Sequence, residues 1–481
     1  MKLSQLLHDT GIKCEDTTEN RGGDPEISGV CCDSRRVKPG DLFVCLKGKN
    51  ADGEEFEEEA RQRGAAAILR RLEGGAAPDW TTAATLAARI WDHPDRKLTM
   101  IGVTGTNGKT TTTWMIRRIL NRLGVGCGLI GTVVYETGDE ALASDRTTPQ
   151  PDQLYRLLHE MRRSGCTACA MEVSSHGLAL GRVETLEFQY GVFTNLTEDH
   201  LDFHGTMEAY YRAKKKLFDR VKICSFINTD DLWGRRLYGE LRAEGKPCFG
   251  LSLADWTADL WGDVVRCDGA GSIVRLPQLA VTLKLALPGK WNCENALAAW
   301  AVCAAVMGNR AAEALEEMDG VPGRFEPVKN RAGRNVIVDY AHTPDALKRV
   351  LTTARPLVGE GGRLICVFGC GGDRDAGKRP LMGEISGRLA DYTVITSDNP
   401  RTEDPEIIAE QIEEGMRTTG GTYEILLDRK KAIEKALTLC GRRDIVVIAG
   451  KGHETTQTIG KKAYPFDDRR VAEELLKKLK K

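Results

Sequence analysis

Thr99-Met-Ile-Gly-Val-Thr-Gly-Thr-Asn-Gly-Lys-Thr-Thr-Thr-Thr113 decides the fold of this chain. A short apolar run ends in a loop holding Gly105 and Gly108, followed at once by Lys109 and Thr110. Met115, Ile116, Ile119, Leu120 and Leu123 then repeat at the spacing of one buried helix face, which Gly124 closes. Strand, glycine-rich turn and helix are the parts of a phosphate cradle. Glycines let backbone N–H groups approach the oxygens, and the helix N-terminus adds partial positive charge. In such a cradle Lys109 reaches the terminal phosphates and the Thr110 hydroxyl ligates Mg²⁺. The strict Walker A pattern wants a glycine where Val103 stands, yet the flanking strand and helix still make this a nucleotide site.

Downstream, Cys169-Ala-Met-Glu-Val173 is an apolar strand interrupted by one carboxylate. A nucleotide-bound Mg²⁺ needs a hard oxygen ligand at such a place, so Glu172 is a candidate metal ligand. Gly191 to His200 gives another strand ending in polar residues. His200 and His204 have the spacing of a zinc pair on a helix, but Leu201 replaces the glutamate a zinc protease needs. His200 facing Mg²⁺ is the functional reading, and a hydrogen-bonded structural histidine is the alternative. Tyr210 to Phe218 reads as an amphipathic helix whose lysines, Lys214 among them, form a solvated face. Asn292 and Asn295 stand where the Ala-rich helix from Ala296 to Val306 would be capped.

The 481 residues exceed one core and suggest roughly three domains. A net charge of -1 gives no field to attract nucleic acid. The opening Met1 to His8 is too short and polar for a signal peptide, and no apolar run of about 18 residues offers a membrane span. Fifteen cysteines, mostly inside apolar segments, fit reduced thiols in cytosol. Cys166 and Cys169 have ligand spacing but no partner pair, so core packing is the preferred reading.

Residues 1–97 read as a small α/β unit with a strand at Leu42 to Leu46 and a binding role. From Gly323 the chain alternates strand, turn and helix, with strands at 336–339, 364–368, 392–395 and 445–449. That is the pattern of a doubly wound sheet, whose ligand crevice lies at the carboxyl ends of the strands. Those ends carry His342, Gly371 to Arg374, Asp398 to Arg401 and Gly450 to Glu454. The Lys-rich segment from Val471 to Lys481 reads as a solvated helix.

Taken together, Asp33-Ser-Arg35, the phosphate loop, Glu172 to His176, Thr194 to Asp202, Asn292 to Asn295, Gly323-Arg324, Asp339 to Pro344, Gly371 to Pro380, Asp398 to Arg401 and Gly450 to Glu454 resemble the Mur ligases of peptidoglycan synthesis over essentially the whole chain. The resemblance implies an ATP- and Mg²⁺-dependent amide ligase of three α/β domains. A small N-terminal domain (1–97) would hold the UDP-substrate and a central P-loop ATPase-type parallel-sheet domain (98–322) ATP. A C-terminal Rossmann-like doubly wound domain (323–481) would hold the incoming amino acid. It implies nucleotide contacts from Gly105, Thr106, Asn107, Gly108, Lys109, Thr110, Thr111, Asn295, Arg324, Asp339 and His342. Ser34, Lys49, Asn50 and Ala51 would contact the UDP part, and Thr147, Thr148, Ser174 and Arg182 the sugar-peptide. Leu180 departs from the family at a position where a relative binds substrate through glutamine.

The resemblance also reverses the reading of Lys214. That residue matches a lysine the family carries as a carbamate, an anion able to join Thr110, Glu172 and His200 in holding Mg²⁺. Arg374, Asp398, Asn399, Pro400, Arg401, Gly450 and Glu454 look like the site for meso-diaminopimelate, added to the D-glutamate of a UDP-muramoyl dipeptide through an acyl phosphate. The expected protein is a cytoplasmic monomer with small-molecule partners only. L-Lysine as the added amino acid, a folylpolyglutamate synthetase-like reaction and a nucleotide-binding regulatory module are the alternatives. The residues Asp33-Ser-Arg35 and Asp398 to Arg401 argue against the folate reaction, and Glu172, His200 and Lys214 together against a module without catalysis.

Overall fold

The structure is a computed structural model that describes residues 1–10, 12, 24–48, 51–70, 78–269, 271–316, 318 and 320–479. Its centre is a nine-stranded sheet in the spatial order 260–261, 248–252, 221–228, 188–193, 99–104, 168–172, 127–130, 134–136 and 141–143. The first seven strands are parallel, and the phosphate-loop strand Thr99–Thr104 lies between Phe188–Phe193 and Ala168–Glu172. Met100, Ile101 and Val103 are fully buried, as a strand covered on both faces requires. Helices Lys109–Arg122 and Lys290–Met307 pack one face through Ile116, Ile119, Ala296 and Trp300. Helix Pro151–Arg163 and the aromatic rings of Phe188, Tyr210 and Phe218 fill the other. The sheet is not wholly parallel as read from the sequence: Val134–Glu136 and Ala141–Ala143 add an antiparallel edge. The short link from Ile130 to Val134 is a hairpin connection and cannot carry a parallel crossover. A separate antiparallel sheet, 263–268, 271–276 and 281–285, precedes the long helix.

Near the N-terminus, strands Gly29–Cys31, Asp41–Val44 and Ala67–Leu69 form a parallel sheet. Helix Trp80–Ile90 begins on a capping box between Asp79 and Thr82. Leu42, Val44 and Leu86 belong to one apolar cluster with Met100, Leu154 and Leu157, so this small sheet is fixed to the central one by hydrophobic packing.

The C-terminal sheet runs 326–327, 335–339, 445–449, 364–368, 392–395 and 423–425, parallel except for the first strand. Helices Pro344–Ala354, Lys378–Leu389 and Pro405–Arg417 cover one face through Leu347, Met382 and Ile412. Helices Arg429–Leu439 and Asp468–Lys478 cover the other through Ile433, Leu437 and Leu475. The doubly wound arrangement follows the sequence reading, and a fifth parallel strand, Tyr423–Ile425, is added at the edge. The closing helix is not merely solvated: it starts at Asp468 and buries Ala472, Leu475 and Leu476. The described cysteines are free thiols, and Cys166 and Cys169 are both buried in the core.

Candidate active site

Strand Thr99–Thr104 delivers the phosphate loop to the carboxyl edge of the central sheet. Gly105 and Gly108 have φ of +148° and +87°. A Cβ at Gly105 would collide with the Thr194 hydroxyl, and one at Gly108 with Asn295 Oδ1. Only glycine satisfies both the backbone and the contact. The turn is tied down by Asn107, whose N–H donates to Asn195 Oδ1 at 2.9 Å and whose carbonyl accepts from Thr194 Oγ1 at 2.6 Å. Lys109 Nζ donates to the carbonyls of Gly105 and Thr106 at 2.9 and 2.8 Å. Burial lowers its pKa, with Glu172 and Asp199 opposing.

Glu172 ends its strand fully buried beside this loop. Its carboxylate accepts from Thr110 Oγ1 at 3.0 Å, from the Thr132 N–H at 2.7 Å and from Thr132 Oγ1 at 3.1 Å. Thr110 and Glu172 thus offer a hydroxyl and a carboxylate side by side, the hard-oxygen chemistry Mg²⁺ takes. His200 lines the same cavity at a left-handed φ of +56°, its Nε2 3.4 Å from Asp199 and its ring 4.8 Å from that of His176. Burial pushes its pKa down to about 4, so the imidazole is neutral and has a lone pair to give.

Charge pattern misplaces Lys214. It is buried, and its Nζ runs beneath the loop to donate to the Gly105 carbonyl at 2.7 Å, 4.6 Å from the centre of the Tyr210 ring. Its neighbour Lys215 behaves as the pattern suggests, pairing with Glu240 and Glu244. Lys214 is not itself among the side chains lining the cavity. The capping role of Asn295 fails too, because the helix begins at Lys290 and Asn295 sits in its second turn facing the loop. Asn292 keeps a terminal role, its amide donating to the Pro288 carbonyl at 2.7 Å.

The C-terminal unit closes the cavity. Arg324 Nη2 donates to Thr110 Oγ1 at 3.0 Å while its guanidinium lies 4.5 Å from the Tyr340 ring centre. Asn107 Nδ2 donates to Asp345 Oδ2 at 2.8 Å. Asp339, its pKa raised by burial, accepts from the N–H groups of Phe325 and Ala341 at 2.6 and 2.8 Å. Asp339, His342 and Thr111 line the cavity, as do Thr106, Asn107, Gly108, Thr147 and Asn295. Trp291, Arg349 and Asp199 also line it and were not read from the sequence. Asp199 directly precedes His200 in the chain, and that adjacency is the signal a sequence offers for it.

A polar track leads away from Glu172. Thr147 Oγ1 lies 3.0 Å from Thr132 Oγ1, and Thr148 Oγ1 donates to the Glu172 carbonyl at 2.9 Å. Ser174 caps a short helix through Gly177 N–H, and Arg182 Nη1 donates to the Thr148 carbonyl at 3.2 Å. Burial, with Arg146 nearby, lowers Arg182 to about 10. Ser34 and Ala51 belong to the N-terminal unit and lie outside the cavity. Ser34 Oγ donates to Glu59 at 2.6 Å, and the Ala51 carbonyl accepts from the Gly48 N–H at 2.9 Å. Lys49 and Asn50 lie outside the described residues.

At the carboxyl edge of the C-terminal sheet, the turns at 371–374, 398–401 and 450–454 converge. Asn399 Nδ2 donates to Glu454 Oε2 at 2.9 Å, and Gly450 lies against the Asp398 carboxylate. Pro400 abuts Gly372, and Arg401 Nη1 donates to the Gly372 carbonyl at 2.6 Å. Burial, with Arg374 beside it, lowers the Arg401 pKa. Lys451, unassigned within the Gly450 to Glu454 turn, joins them. It is fully buried and donates to Asn399 Oδ1 at 3.2 Å and Glu454 Oε2 at 2.8 Å. Its position between two glycines in a polar turn was the available signal.

Three family models match the chain: "Mur ligase family, catalytic domain" over residues 26–84, "Mur ligase middle domain" over 103–303 and "Mur ligase, glutamate ligase domain" over 323–452. The UDP-N-acetylmuramoyl-L-alanyl-D-glutamate--2,6-diaminopimelate ligase of Alkaliphilus oremlandii (strain OhILAs) is 42% identical, with 99% of each chain covered. The protein of the same name from Clostridioides difficile (strain 630) is 42% identical over 94% of this chain and 96% of its own. A solved structure of a 2,6-diaminopimelate ligase of that name superposes with a TM-score of 0.66 at 32% identity, covering 99% of both chains. The MurF ligase from Thermotoga maritima in complex with ADP, at 19% identity, a TM-score of 0.63 and coverage of 94% and 98%, shares the fold.

Proposed function

The chain belongs to the Mur ligase family, and from that premise we propose how its residues carry out the ligation. It is a ligase that joins 2,6-diaminopimelate to the D-glutamate of UDP-N-acetylmuramoyl-L-alanyl-D-glutamate, in peptidoglycan synthesis. In the finer reading, ATP is the energy source, meso-diaminopimelate the isomer used, and residues 1–97, 98–322 and 323–481 the three functional units. The protein acts as a monomer in the cytoplasm. Among the described residues, no helix is long and apolar enough to cross a membrane.

A carboxylate is a poor electrophile. The D-glutamate oxygen therefore attacks the γ-phosphorus, a C–O–P linkage forms, and ADP departs with the electrons of the broken P–O bond. The amine of the amino acid then attacks the acyl carbon, and phosphate leaves from the tetrahedral intermediate. Such a transfer asks for positioning and charge neutralisation. The glycine loop cradles the phosphates, Lys109 places its ammonium by the transferring group, and Arg324 brings a second cation. Thr110, Glu172 and His200 would hold Mg²⁺, with Lys214 joining them as a carbamate. When bound there, Mg²⁺ would supply charge stabilisation on the phosphate oxygens.

One observation carries the choice of amino acid. Arg374 stands close enough to Arg401 to disfavour its charge, and among the described residues both guanidinium groups donate only to carbonyls, Arg401 to Gly372 and Arg374 to Asp373, while the Asp373 carboxylate is held by Thr402 and that of Glu454 by Asn399 and Lys451. A pair of guanidinium groups so placed calls for a carboxylate, which diaminopimelate carries at its far end and lysine lacks. With lysine bound, an ammonium would face the arginines.

The test is phosphate release from ATP, measured with and without the UDP-muramoyl dipeptide across a panel of amino acids. The expected result is release only when the dipeptide and diaminopimelate are both present. Equal or better use of L-lysine would overturn the arginine argument and leave the ligase class standing.

A further inference from the structure

The hairpin of strands Thr456–Ile459 and Lys462–Pro465 stands apart from every other sheet. Its largest apolar side chains, Ile459 and Tyr464, are half exposed, so it covers no core. An isolated two-stranded ribbon has little stability of its own. This one is held by polar contacts, and they go to a single place. Gln457 Nε2 donates to the Asp398 carbonyl at 2.7 Å, and the Thr458 N–H donates to Asn399 Oδ1 at 2.9 Å. The Arg401 N–H donates to the Thr458 carbonyl at 3.1 Å, and the Gly460 N–H donates to the Arg401 carbonyl at 2.6 Å. Three of the four residues in the Asp398–Arg401 turn are therefore clasped by one short ribbon.

Arg401 itself sits at φ +52°, in the left-handed region. A residue with a Cβ stays there only when its surroundings fix it. Both backbone polar groups of Arg401 are bonded to the hairpin, which supplies that restraint. Released from it, the residue would relax to negative φ, and the long side chain would leave the crevice.

We propose that the hairpin 456–465 is a specificity clasp: it fixes the left-handed backbone of Arg401 and so aims the guanidinium at the far carboxylate of the incoming diamino acid. Gln457 is a positioning residue in this device and does not touch the substrate. The proposal rests on the reading of the Asp398–Arg401 turn as the amino-acid site.

Three variants of the full-length enzyme test it: Arg401→Ala, Gln457→Ala, and replacement of residues 457–464 by Asn-Gly, which leaves Thr456 and Pro465 to close the ribbon. For each, KM for diaminopimelate, KM for ATP, kcat, the kcat/KM ratio of diaminopimelate to L-lysine and the melting temperature are measured. The shortened ribbon should raise KM for diaminopimelate ~10-fold or more and lower the discrimination ratio alongside, with KM for ATP within about twofold of wild type. Gln457→Ala, which loses one hydrogen bond from a half-buried side chain, should raise the same KM roughly threefold, and it decides the matter if the shortened protein does not fold. If Arg401→Ala leaves KM for diaminopimelate unchanged, the reading of the amino-acid site itself falls. If Arg401→Ala raises it while the hairpin variants stay within about twofold, the clasp alone is overturned. A fall in kcat with every KM and the discrimination ratio unchanged is a merely structural effect, and it overturns the clasp too.

Discussion

Lys214 Nζ donates to the Gly105 carbonyl at 2.7 Å, tying a buried amine to the first glycine of the phosphate loop. Burial, with Lys109 close by, holds the Lys214 amine well below the ordinary lysine pKa. A neutral amine is the form that adds CO₂, giving a carbamate and releasing a proton. The site that looks least hospitable to a lysine charge is thus suited to turning that lysine into an anion.

Lys214→Ala should be nearly inactive and partly rescued by short carboxylates such as formate. A carbamate carbon should also appear in the ¹³C spectrum of wild-type protein equilibrated with labelled bicarbonate. Activity indifferent to the substitution, with no such signal, would remove the carbamate from the mechanism.

Lys109→Ala should abolish ligation while the circular dichroism spectrum is retained. Losing charge stabilisation of this kind costs ~10²–10³ in rate. Ligation within about twofold of wild type would mean that the ammonium serves the loop carbonyls alone.

Asp95 is fully buried, and its carboxylate oxygens meet no donor of good geometry, only the poorly placed backbone N–H groups of Asp95 and Glu187. Burial raises its pKa from 3.8 to about 6. Because the folded value is the higher, its contribution to stability is complete below about 3.8 and is lost as pH rises through about 6. The gap between those values corresponds to roughly 3 kcal/mol. Asp95→Asn should therefore raise the melting temperature at pH 8 more than at pH 5. An equal gain at both, or none, would show that the carboxylate has found a partner.

Arg429 and Asp468 form a two-pronged ion pair at 2.7 Å, with neither side chain exposed. Arg429 also donates to the Ala449 carbonyl at 2.9 Å, at the end of the strand that leads into the turn 450–454. Asp468→Ala strands the guanidinium and should cost about 3–5 kcal/mol in urea denaturation. The double change Arg429→Met with Asp468→Leu should be less damaging than the single one. The reverse order would mean that the pair contributes net stability.

The nucleotide half of the site was legible because its grammar is local: a strand, two glycines, Lys109, and a lone carboxylate at Glu172 in an apolar run. The doubly wound sheet was legible for the same reason, each strand announcing itself over five residues. Lys214 was opaque, since a lysine beneath a loop and one in water share the same helical spacing. Only the resemblance set it apart. The capping reading of Asn295 failed because the start of an Ala-rich helix carries no sharp signal upstream of its apolar face. The contacts of Thr132, Asp345 and the ribbon that clasps Arg401 join residues far apart in the chain, and no local pattern records them.

Asn107 with Asp345 and Arg324 with Thr110 join two units across the mouth of the nucleotide cavity. Products made inside such an enclosure leave only after both contacts part. On the proposed mechanism, the same closure would shelter a hydrolysable acyl phosphate until the amine reaches it. Fidelity and throughput are therefore set by one latch. On that mechanism a tighter one would lose fewer activated chains to water and release ADP more slowly, and a looser one would run faster while hydrolysing ATP to no purpose.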